Sequence, residues 1–494
     1  MMTATTYRFE RKSLLAGLAL MGGAFTAAIA AWAVWSFSTL QVIALSAGII
    51  ILLLMALAPE KRLFILGATI FVIPLNIDQS FMLHPSPGGA DSLSFGLFEI
   101  FLILLLLATL VHMASAKKAG AFQLFPAILV PSVAVLAFYL ISLINARDFM
   151  WSLFDIVNYC KVILFFLLLA NNITCDRDLK VVLIASLLAL IMQTLIASWQ
   201  NFNPDITDTM LRFKLGVSSR IVFEQGVNPF VRSGGTFGNA NHLGRYFGLV
   251  LPTAIILVLS PVSSRSLKIV GAAASLVGLF SVINTLSRSA WAGMVLAIIV
   301  MLPLMLKHRL LNYRSLIIMS LALLMFITML IPLSGKIWDR LTLDDHGSAM
   351  TRITTSRVAF RIIADHPFIG CGINNYGAML ADYWIGEDTF TRKAAVHNNF
   401  LLYLAEIGFL GFTAFLALLI SFWSRIRRAI KSSSLLHKAV AVSFMGAFWA
   451  MLLESLSDKS YKENFSLLLT FWGMMAIIEA INRMQDASTL GFKS

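Results

Sequence analysis

A histidine stands where a polar segment of the sequence meets a long apolar run. His397 is followed by Asn398 and Asn399, and the apolar run extends to Trp423. An imidazole can take a proton near neutral pH, and asparagine side chains can position hydroxyl groups through hydrogen bonds. The triplet therefore predicts a site that activates a hydroxyl. The alternative is that these residues only cap a helix, since asparagine favours that position.

A second candidate stretch runs from Phe230 to Arg245 and is rich in glycine and polar residues. Glycines let backbone amides approach an oxyanion, and the Arg232 guanidinium can bind phosphate through two parallel hydrogen bonds. Asn239, Asn241 and Arg245 are further candidates for substrate binding. The stretch is not a P-loop, because the Gly-Lys-Ser/Thr ending is missing. The alternative is a loop with a purely structural role.

A third candidate is Arg288, which lies in a short connection between two apolar runs, within Leu286-Ser-Arg288-Ser-Ala-Trp291. An arginine at the membrane interface is costly unless it finds a partner or a ligand. It is therefore a candidate for binding an anionic substrate. The alternative is that its side chain extends to the phosphates of the lipids.

Other kinds of chemistry find no support in the sequence. Cys160, Cys175 and Cys371 have neither metal-ligand spacing nor the pattern of a disulfide framework. His397 has no second histidine or carboxylate at ligand spacing, so we expect no metal and no cofactor. Neither a Ser-His-Asp order nor a Gly-x-Ser-x-Gly motif is present. Motifs for binding nucleic acid are also missing.

The composition identifies the class of protein. Of the 494 residues, 59% are hydrophobic and only 13% are charged, whereas soluble domains carry about 25% charged residues. The apolar residues form runs near the ~20 residues that cross a bilayer as a helix. We predict an all-α polytopic membrane protein with roughly 14 transmembrane helices. The predicted spans are 14–37, 39–58, 63–77, 95–113, 125–144, 153–170, 181–198, 242–259, 269–286, 290–306, 315–333, 398–423, 439–453 and 465–481.

Lysine and arginine in the short loops predict the orientation. Alternate loops are basic, as at Lys61-Arg62, Lys117-Lys118 and Arg425–Lys431. Both termini are therefore expected in the cytoplasm. Ala28-Ile-Ala30 resembles a signal-peptidase site, but the length of the first apolar run favours an uncleaved anchor.

This pattern divides the chain into five regions. They are N-terminal transmembrane helices (1–200), an external loop (201–241), core transmembrane helices (242–333), a large external loop containing amphipathic helices (334–396) and C-terminal transmembrane helices (397–494). Both loops are basic, although long loops are largely exempt from the charge rule. Their charge indicates either contact with solvent and lipid head groups or an anionic substrate at the outer face.

Within the second loop, 351–364 is expected to form an amphipathic helix that carries Arg352 and Arg357 and ends at His366-Pro367. Glu406 comes nine residues after His397, which is about half a revolution around the helix at ~100° per residue, so we expect it to face Asn399 and to have a structural role.

Several of these stretches, in this order, resemble the O-antigen ligase and polymerase superfamily of bacterial envelope glycan assembly. The matching pieces are Gly235-Thr-Phe-Gly-Asn239-Ala-Asn241, Leu286-Ser-Arg288-Ser-Ala-Trp291, His366-Pro-Phe-Ile-Gly370-Cys-Gly372-Ile-Asn374-Asn375-Tyr376, His397-Asn398 and Glu406-Ile-Gly408-Phe-Leu-Gly411. The resemblance covers about residues 232–412. The roughly 14 spans predicted here exceed the number usually described for the ligases, which is about twelve.

The resemblance implies a membrane glycosyltransferase that passes a glycan from undecaprenyl diphosphate to an acceptor sugar at the periplasmic face, without nucleotide sugar or metal. It assigns Arg232 and Arg288 to the diphosphate and His397 to activation of the acceptor hydroxyl. Arg352 or Arg357 is expected as a further contact.

Tyr376 and Asn398 complete the set of expected substrate-binding residues. The leading interpretation is an O-antigen ligase with a lipid A-core or other glycan acceptor. A polymerase of O-antigen or exopolysaccharide and a transporter or flippase of the lipid-linked glycan are the alternatives.

Overall fold

The computed structural model describes residues 58–85, 89–115, 122–202, 220–223, 230–261, 264–331, 334–335, 338, 348–384 and 395–489. The chain divides into two compact units, Met1–Phe64 and Ile65–Ser494. The site described below lies in the second unit. The spans predicted at 14–37 and 39–58 lie outside the described residues, except for Ala58 at the end of the second span.

Helices dominate the described residues. In chain order they are α1 (Lys61–Val72), α2 (Leu97–Ser115), α3 (Pro126–Ser142), α4 (Phe149–Asn172), α5 (Asp176–Phe202), α6 (Ala240–Leu259), α7 (Arg265–Asn284), α8 (Arg288–Lys307), α9 (Tyr313–Leu330), α10 (Ser348–Asp365), α11 (Tyr376–Tyr383), α12 (Asn399–Ala429), α13 (Leu435–Ser455), α14 (Ser460–Glu463) and α15 (Phe465–Thr489). Two antiparallel hairpins pair β1 (Asp78–Phe81) with β2 (Leu93–Gly96) and β3 (Arg220–Phe223) with β4 (Phe230–Ser233).

Ten helices in the described ranges are long and apolar enough to cross a membrane: α2 to α8, α12, α13 and α15. This confirms a multi-pass helical membrane protein. The total of 14 stays a prediction. The span predicted at 63–77 corresponds to α1, whose 12 residues are followed by a short 3-10 helix and the first hairpin.

Three helices form the centre of the bundle. The apolar windows of α6 and α15 are each 83% buried and that of α13 is 78% buried, whereas those of the other seven are no more than half buried. Glycines bring the central helices and α8 close together. A Cβ atom on Gly244 of α6 would lie 2.8 Å from the Cβ of Ala290 in α8, so the starts of these two helices nearly touch.

Polar caps fix several helix starts. The Asn239 side chain accepts a hydrogen bond from the Asn241 backbone at the start of α6, and Asn398 accepts one from Leu401 at the start of α12. Asp148 does the same for Trp151 in α4. Such caps satisfy amides that have no partner within the helix.

The helix α12 is interrupted at Gly408, whose φ of 66° lies in the left-handed region. Residues 366–372 occupy the break. Cys371 donates its backbone N–H to the Ala405 carbonyl, and Phe409 donates to the Pro367 carbonyl. A Cβ at Gly408 would overlap the Phe368 backbone. The segment thereby satisfies backbone groups that the interruption leaves unpaired.

Candidate active site

The candidate site lies where several helix ends meet. Asp458, in the connection between α13 and α15, lies next to His397 at the start of α12 and to Arg245 in the second turn of α6. Arg245 also donates a hydrogen bond to Ser289 at the start of α8, with 3.2 Å between Nη2 and Oγ. We call Arg245, Ser289, His397 and Asp458 the His397 cluster, and the end of the bundle that carries it the His397 end.

Asp458 joins the two basic groups. Its Oδ2 lies 2.9 Å from Nη2 of Arg245, and its Oδ1 lies 3.5 Å from Nδ1 of His397. Burial alone would raise the pKa of this carboxyl, but Arg245 and His397 outweigh that effect and hold the pKa below its ordinary value. Asp458 is therefore ionised at neutral pH.

Arg245 is buried, with only 1% of its surface exposed. Its Nη2 contacts Asp458 and Ser289, whereas Nε and Nη1 have no hydrogen-bond partner within the described part of the chain. A buried guanidinium with two unsatisfied donors is costly. Arg245 was expected from the sequence to bind substrate, which stays a prediction; the unpaired nitrogens could donate hydrogen bonds to an oxyanion.

The His397 side chain is 31% exposed, so it lies between the protein interior and the space outside it. A carboxylate beside Nδ1 favours the tautomer that carries its proton on Nδ1, which leaves the lone pair on Nε2. Asn398 is the residue that caps α12, and its Nδ2 donates to the Leu456 carbonyl at 3.2 Å. The capping role expected for the triplet thus belongs to Asn398, whereas His397 precedes the cap.

Arg288 is the first residue of α8, directly after Ser287 and directly before Ser289. It is half-buried, and its neighbour Ser289 contacts Arg245. Arg288 therefore lies at the His397 end. Arg232 lies in β4, opposite Ile221 of β3. The diphosphate clamp between Arg232 and Arg288 stays a prediction, because the Arg232 side chain lies outside the described residues.

Glu454 lies close to the His397 cluster, in the last turn of α13. It accepts a hydrogen bond from the Tyr461 hydroxyl, and its Oε1 would lie 2.5 Å from a Cβ on Gly293 and 3.0 Å from one on Gly248. Both glycines therefore make room for this carboxyl group between α6 and α8.

Lys462, from the same connection as Asp458, forms a second buried ionic network. Its Nζ lies 3.0 Å from Oδ2 of Asp155 in α4 and 2.7 Å from Oε2 of Glu406 in α12. Burial would lower the Lys462 pKa, but the two carboxylates outweigh it and raise that pKa. The structural role expected for Glu406 is consistent with these contacts, which fix the connection to both helices.

The stretch that contains Asn374, Asn375 and Tyr376 packs into the protein. Asn375 donates to the Asp148 carbonyl and to the Ser152 hydroxyl, at 3.0 Å and 2.9 Å. The buried Tyr376 donates its hydroxyl to the Thr355 carbonyl at 2.8 Å. These contacts give the stretch a structural role that the sequence did not reveal, while substrate binding by Tyr376 stays a prediction.

The other predicted substrate-binding residues differ in exposure. Asn239 and Asn241 are half-buried at the start of α6, whereas Arg352 and Arg357 are exposed on α10. The expected helix at 351–364 is present as Ser348–Asp365. Within the described ranges, no group of three or more histidine, cysteine, aspartate or glutamate side chains could hold a metal ion.

Asp458, Glu454 and Lys462 are not among the site residues predicted from the sequence. The one signal for them is the polar run Asp458-Lys-Ser-Tyr-Lys-Glu463 between two apolar runs. A short polar connection is what any turn between membrane helices would contain, so this signal is weak.

Comparison with known families supports the resemblance found in the sequence. Residues 273–416 match the family model described as O-Antigen ligase. The matched region contains Arg288 and His397, whereas Arg232, Arg245 and Asp458 lie outside it. No curated protein matches the chain.

Proposed function

We propose that this protein of the O-antigen ligase and polymerase superfamily is an O-antigen ligase. It would take a glycan from an undecaprenyl-diphosphate donor and attach it to a lipid A-core or similar glycan acceptor. The family match supports a membrane glycosyltransferase. The donor, the acceptor and the side of the membrane belong to the proposal.

The observation that carries the proposal is the placement of His397 beside Asp458. An ionised carboxylate near Nδ1 leaves Nε2 as the proton acceptor and stabilises the imidazolium that forms when the proton arrives. The same carboxylate is held by Arg245 at 2.9 Å. His397 is thus oriented by a buried pair, which suits a catalytic base better than a helix cap.

The reaction is a single displacement. The acceptor hydroxyl oxygen forms a bond to the anomeric carbon of the donor glycan while its proton moves to Nε2 of His397. The bond between that carbon and the diphosphate oxygen breaks, and its electron pair leaves with the diphosphate. Negative charge therefore grows on the leaving group as positive charge grows on the imidazole.

Arginines would stabilise the leaving group. Arg288 is at the His397 end, and Arg245 has two unpaired nitrogens there. A guanidinium placed before the reaction stabilises developing phosphate charge without reorganisation of solvent. Arg232 would supply a further guanidinium from β4. These guanidinium groups would together supply the positive charge that stabilises the departing diphosphate.

Basic residues support the periplasmic placement of the site. The helices α8 and α12 begin at the His397 end and finish at the opposite end, with Lys307 in the last turn of α8 and Arg427 and Arg428 in that of α12. Short cytoplasmic loops carry an excess of lysine and arginine. The His397 end would then face the periplasm.

Purified protein with a lipid-linked glycan and lipid A-core tests the proposal. We expect a new glycosidic bond between glycan and lipid A-core, and none with the His397→Ala protein. If the product instead joined only two donor units, the protein would be a polymerase and not a ligase. If the donor crossed a vesicle membrane and no new bond formed, the protein would be a flippase and not a ligase.

A further inference from the structure

A cavity of about 390 Å³ lies at the end of the bundle opposite to the His397 cluster. It is formed where α6 ends and where α7 and α9 begin. Its lining residues are Val258, Leu259, Pro261, Lys268, Ile269, Ala272, Asn312, Arg314 and Ser315. Pockets of 300–1,000 Å³ are typical of small-ligand sites. The proposed glycosyl transfer makes no use of this cavity.

Two cations line the cavity, Lys268 from α7 and Arg314 from α9. The ion pairs found within the described ranges include no carboxylate partner for either of them. Nε of Arg314 donates to the Tyr313 hydroxyl at 3.0 Å, and its guanidinium lies 5.6 Å from the centre of the Tyr313 ring. Tyr313 thereby restricts the conformations of Arg314. Two uncompensated cations on one cavity favour an anion.

The remaining walls are mostly apolar, and the cavity opens to the side of the bundle. Ile269, on its rim, is 59% exposed, and the neighbouring Tyr313 is 66% exposed. Tyrosine is enriched at the level of the lipid head groups, where its ring is apolar and its hydroxyl is wet. The cavity therefore combines a charged end with a surface suited to acyl chains.

The polar rim is held in place by the fold. Ser315 accepts a hydrogen bond at its Oγ from the Asn312 backbone, and Asn312 accepts one from the Ser315 backbone at 2.9 Å. Ser315 Oγ also donates to the carbonyl of Leu259. These contacts fix the start of α9 against the end of α6, so this wall exists before any ligand binds.

We propose that this cavity binds the head group of an anionic phospholipid, with the phosphate between Lys268 and Arg314 and the upper acyl chains against Val258 and Ile269. Basic pockets between transmembrane helices are suited to acidic head groups on the cytoplasmic side. Further basic residues lie at this end of the bundle: Arg265 at the start of α7, Lys307 at the end of α8 and Arg309 in the connection to α9. A soluble phosphate shares the anionic chemistry but has no apolar part that could pack against the apolar walls.

Native mass spectrometry of the full-length protein in detergent tests the site. The protein is titrated with phosphatidylglycerol, with phosphatidylcholine or with inorganic phosphate. We expect one phosphatidylglycerol to be retained in preference to phosphatidylcholine. The Lys268→Gln/Arg314→Gln protein should bind it more weakly, by about fivefold for each charge removed, since one basic residue near a lipid surface contributes about 1 kcal/mol.

The Arg427→Gln/Lys431→Gln protein is the matched control. It loses two exposed charges at the same end of the bundle but not from the cavity, so it should retain phosphatidylglycerol like the parent. If phosphatidylglycerol binding weakened equally in both variants, general surface charge would explain the effect and the proposed site would be wrong. Unchanged binding after loss of Lys268 and Arg314 would overturn it too.

A second variant tests the space inside the cavity separately from its two charges. Ala272→Phe keeps both cations but fills the space beside them, and Ala272 is exposed, so the fold tolerates the larger ring. We expect it to lose the retained lipid. Retention equal to that of the parent would contradict a bound lipid in the cavity. Competition by inorganic phosphate as strong as by phosphatidylglycerol would assign the site to a soluble anion.

Discussion

The carboxylate of Asp458 lies 2.9 Å from the guanidinium of Arg245, inside the bundle and between two segments far apart in the sequence. One of these residues belongs to the second turn of α6, and the other follows α13. Their ion pair holds the other carboxylate oxygen next to His397. The position of the proposed base is thus set by a buried pair and not by its own helix.

The first prediction concerns this pair. Asp458→Asn leaves the Arg245 charge buried without a counter-ion, and loss of one partner of a buried ion pair costs about 3–5 kcal/mol. We expect a lower unfolding midpoint in detergent and loss of transfer. The Arg245→Met/Asp458→Leu protein should lose less stability than the sum of the two single replacements, because neither charge is left alone.

The same prediction has a pH dependence. The pKa of Asp458 is lowered in the folded protein, so its stabilisation is complete above the ordinary value of 3.8 and is lost as the pH falls through the folded-state pKa. The stability difference between parent and Asp458→Asn should therefore shrink below pH 3.8. Asp382→Asn, which breaks an exposed pair with Arg147, is the control and should cost about 0–1 kcal/mol. A difference that stays constant with pH would contradict the ion pair.

The second prediction concerns His397 as the base. His397→Ala should lower the transfer rate by about 10²- to 10⁴-fold, the usual contribution of a general base. His397→Gln should not restore it, because glutamine forms hydrogen bonds but does not accept the proton. Both proteins should fold and bind the lipid-linked donor.

His308→Gln is the matched histidine replacement, since His308 follows α8 at the opposite end. It should transfer glycan at the parent rate. Near-normal activity of His397→Gln would show that His397 only positions the acceptor.

The third prediction concerns Arg288. Arg288→Lys should already reduce transfer, because an ammonium group lacks the two parallel donors of a guanidinium. Arg288→Ala should reduce it further and weaken donor binding. Arg361→Lys, an exposed replacement on α10, is the control. Rates with saturating acceptor, measured against donor concentration, separate donor affinity from turnover. Full activity of Arg288→Ala would exclude the diphosphate clamp.

The fourth prediction concerns orientation. In a protein whose cysteines Cys160, Cys175 and Cys371 are replaced by alanine, Ser348→Cys should react with a membrane-impermeant maleimide in intact spheroplasts. Ser218→Cys, in the other long segment, should do the same. Lys431→Cys, at the opposite end, should react only after lysis. The reverse pattern would place the His397 end in the cytoplasm.

Sequence patterns predict the membrane helices and the helix start at His397 well, because both depend on local composition. The run predicted at 398–423 is α12, Asn399–Ala429, and the run at 269–286 is α7, Arg265–Asn284. Length of apolar sequence and capping residues decide such elements before tertiary contacts form.

The partners inside the site are not predictable in this way. Asp458 meets Arg245 and His397 only because α6 and α12 begin where α13 ends, and no periodicity in the sequence connects these three places. The break at Gly408 is equally hard to predict, since an isolated glycine is tolerated inside a helical apolar run and does not by itself mark an interruption. Its cause is the segment 366–372, which supplies hydrogen bonds that an unbroken helix would not need.

The break at Gly408 also sets an order of events during biosynthesis. Residues 366–372 leave the ribosome before residues 405–410, whose backbone they bind. At a synthesis rate of about 5–20 residues per second, the earlier segment exists for several seconds without these partners. We expect the segment to become protease-resistant only after α12 is made. Gly408→Ala should stay protease-sensitive, because a Cβ there overlaps the Phe368 backbone. Gly473→Ala, whose Cβ has its nearest neighbour at 3.6 Å, should mature like the parent. In this protein, a helix that is synthesised late provides the backbone partners of a segment that is synthesised before it.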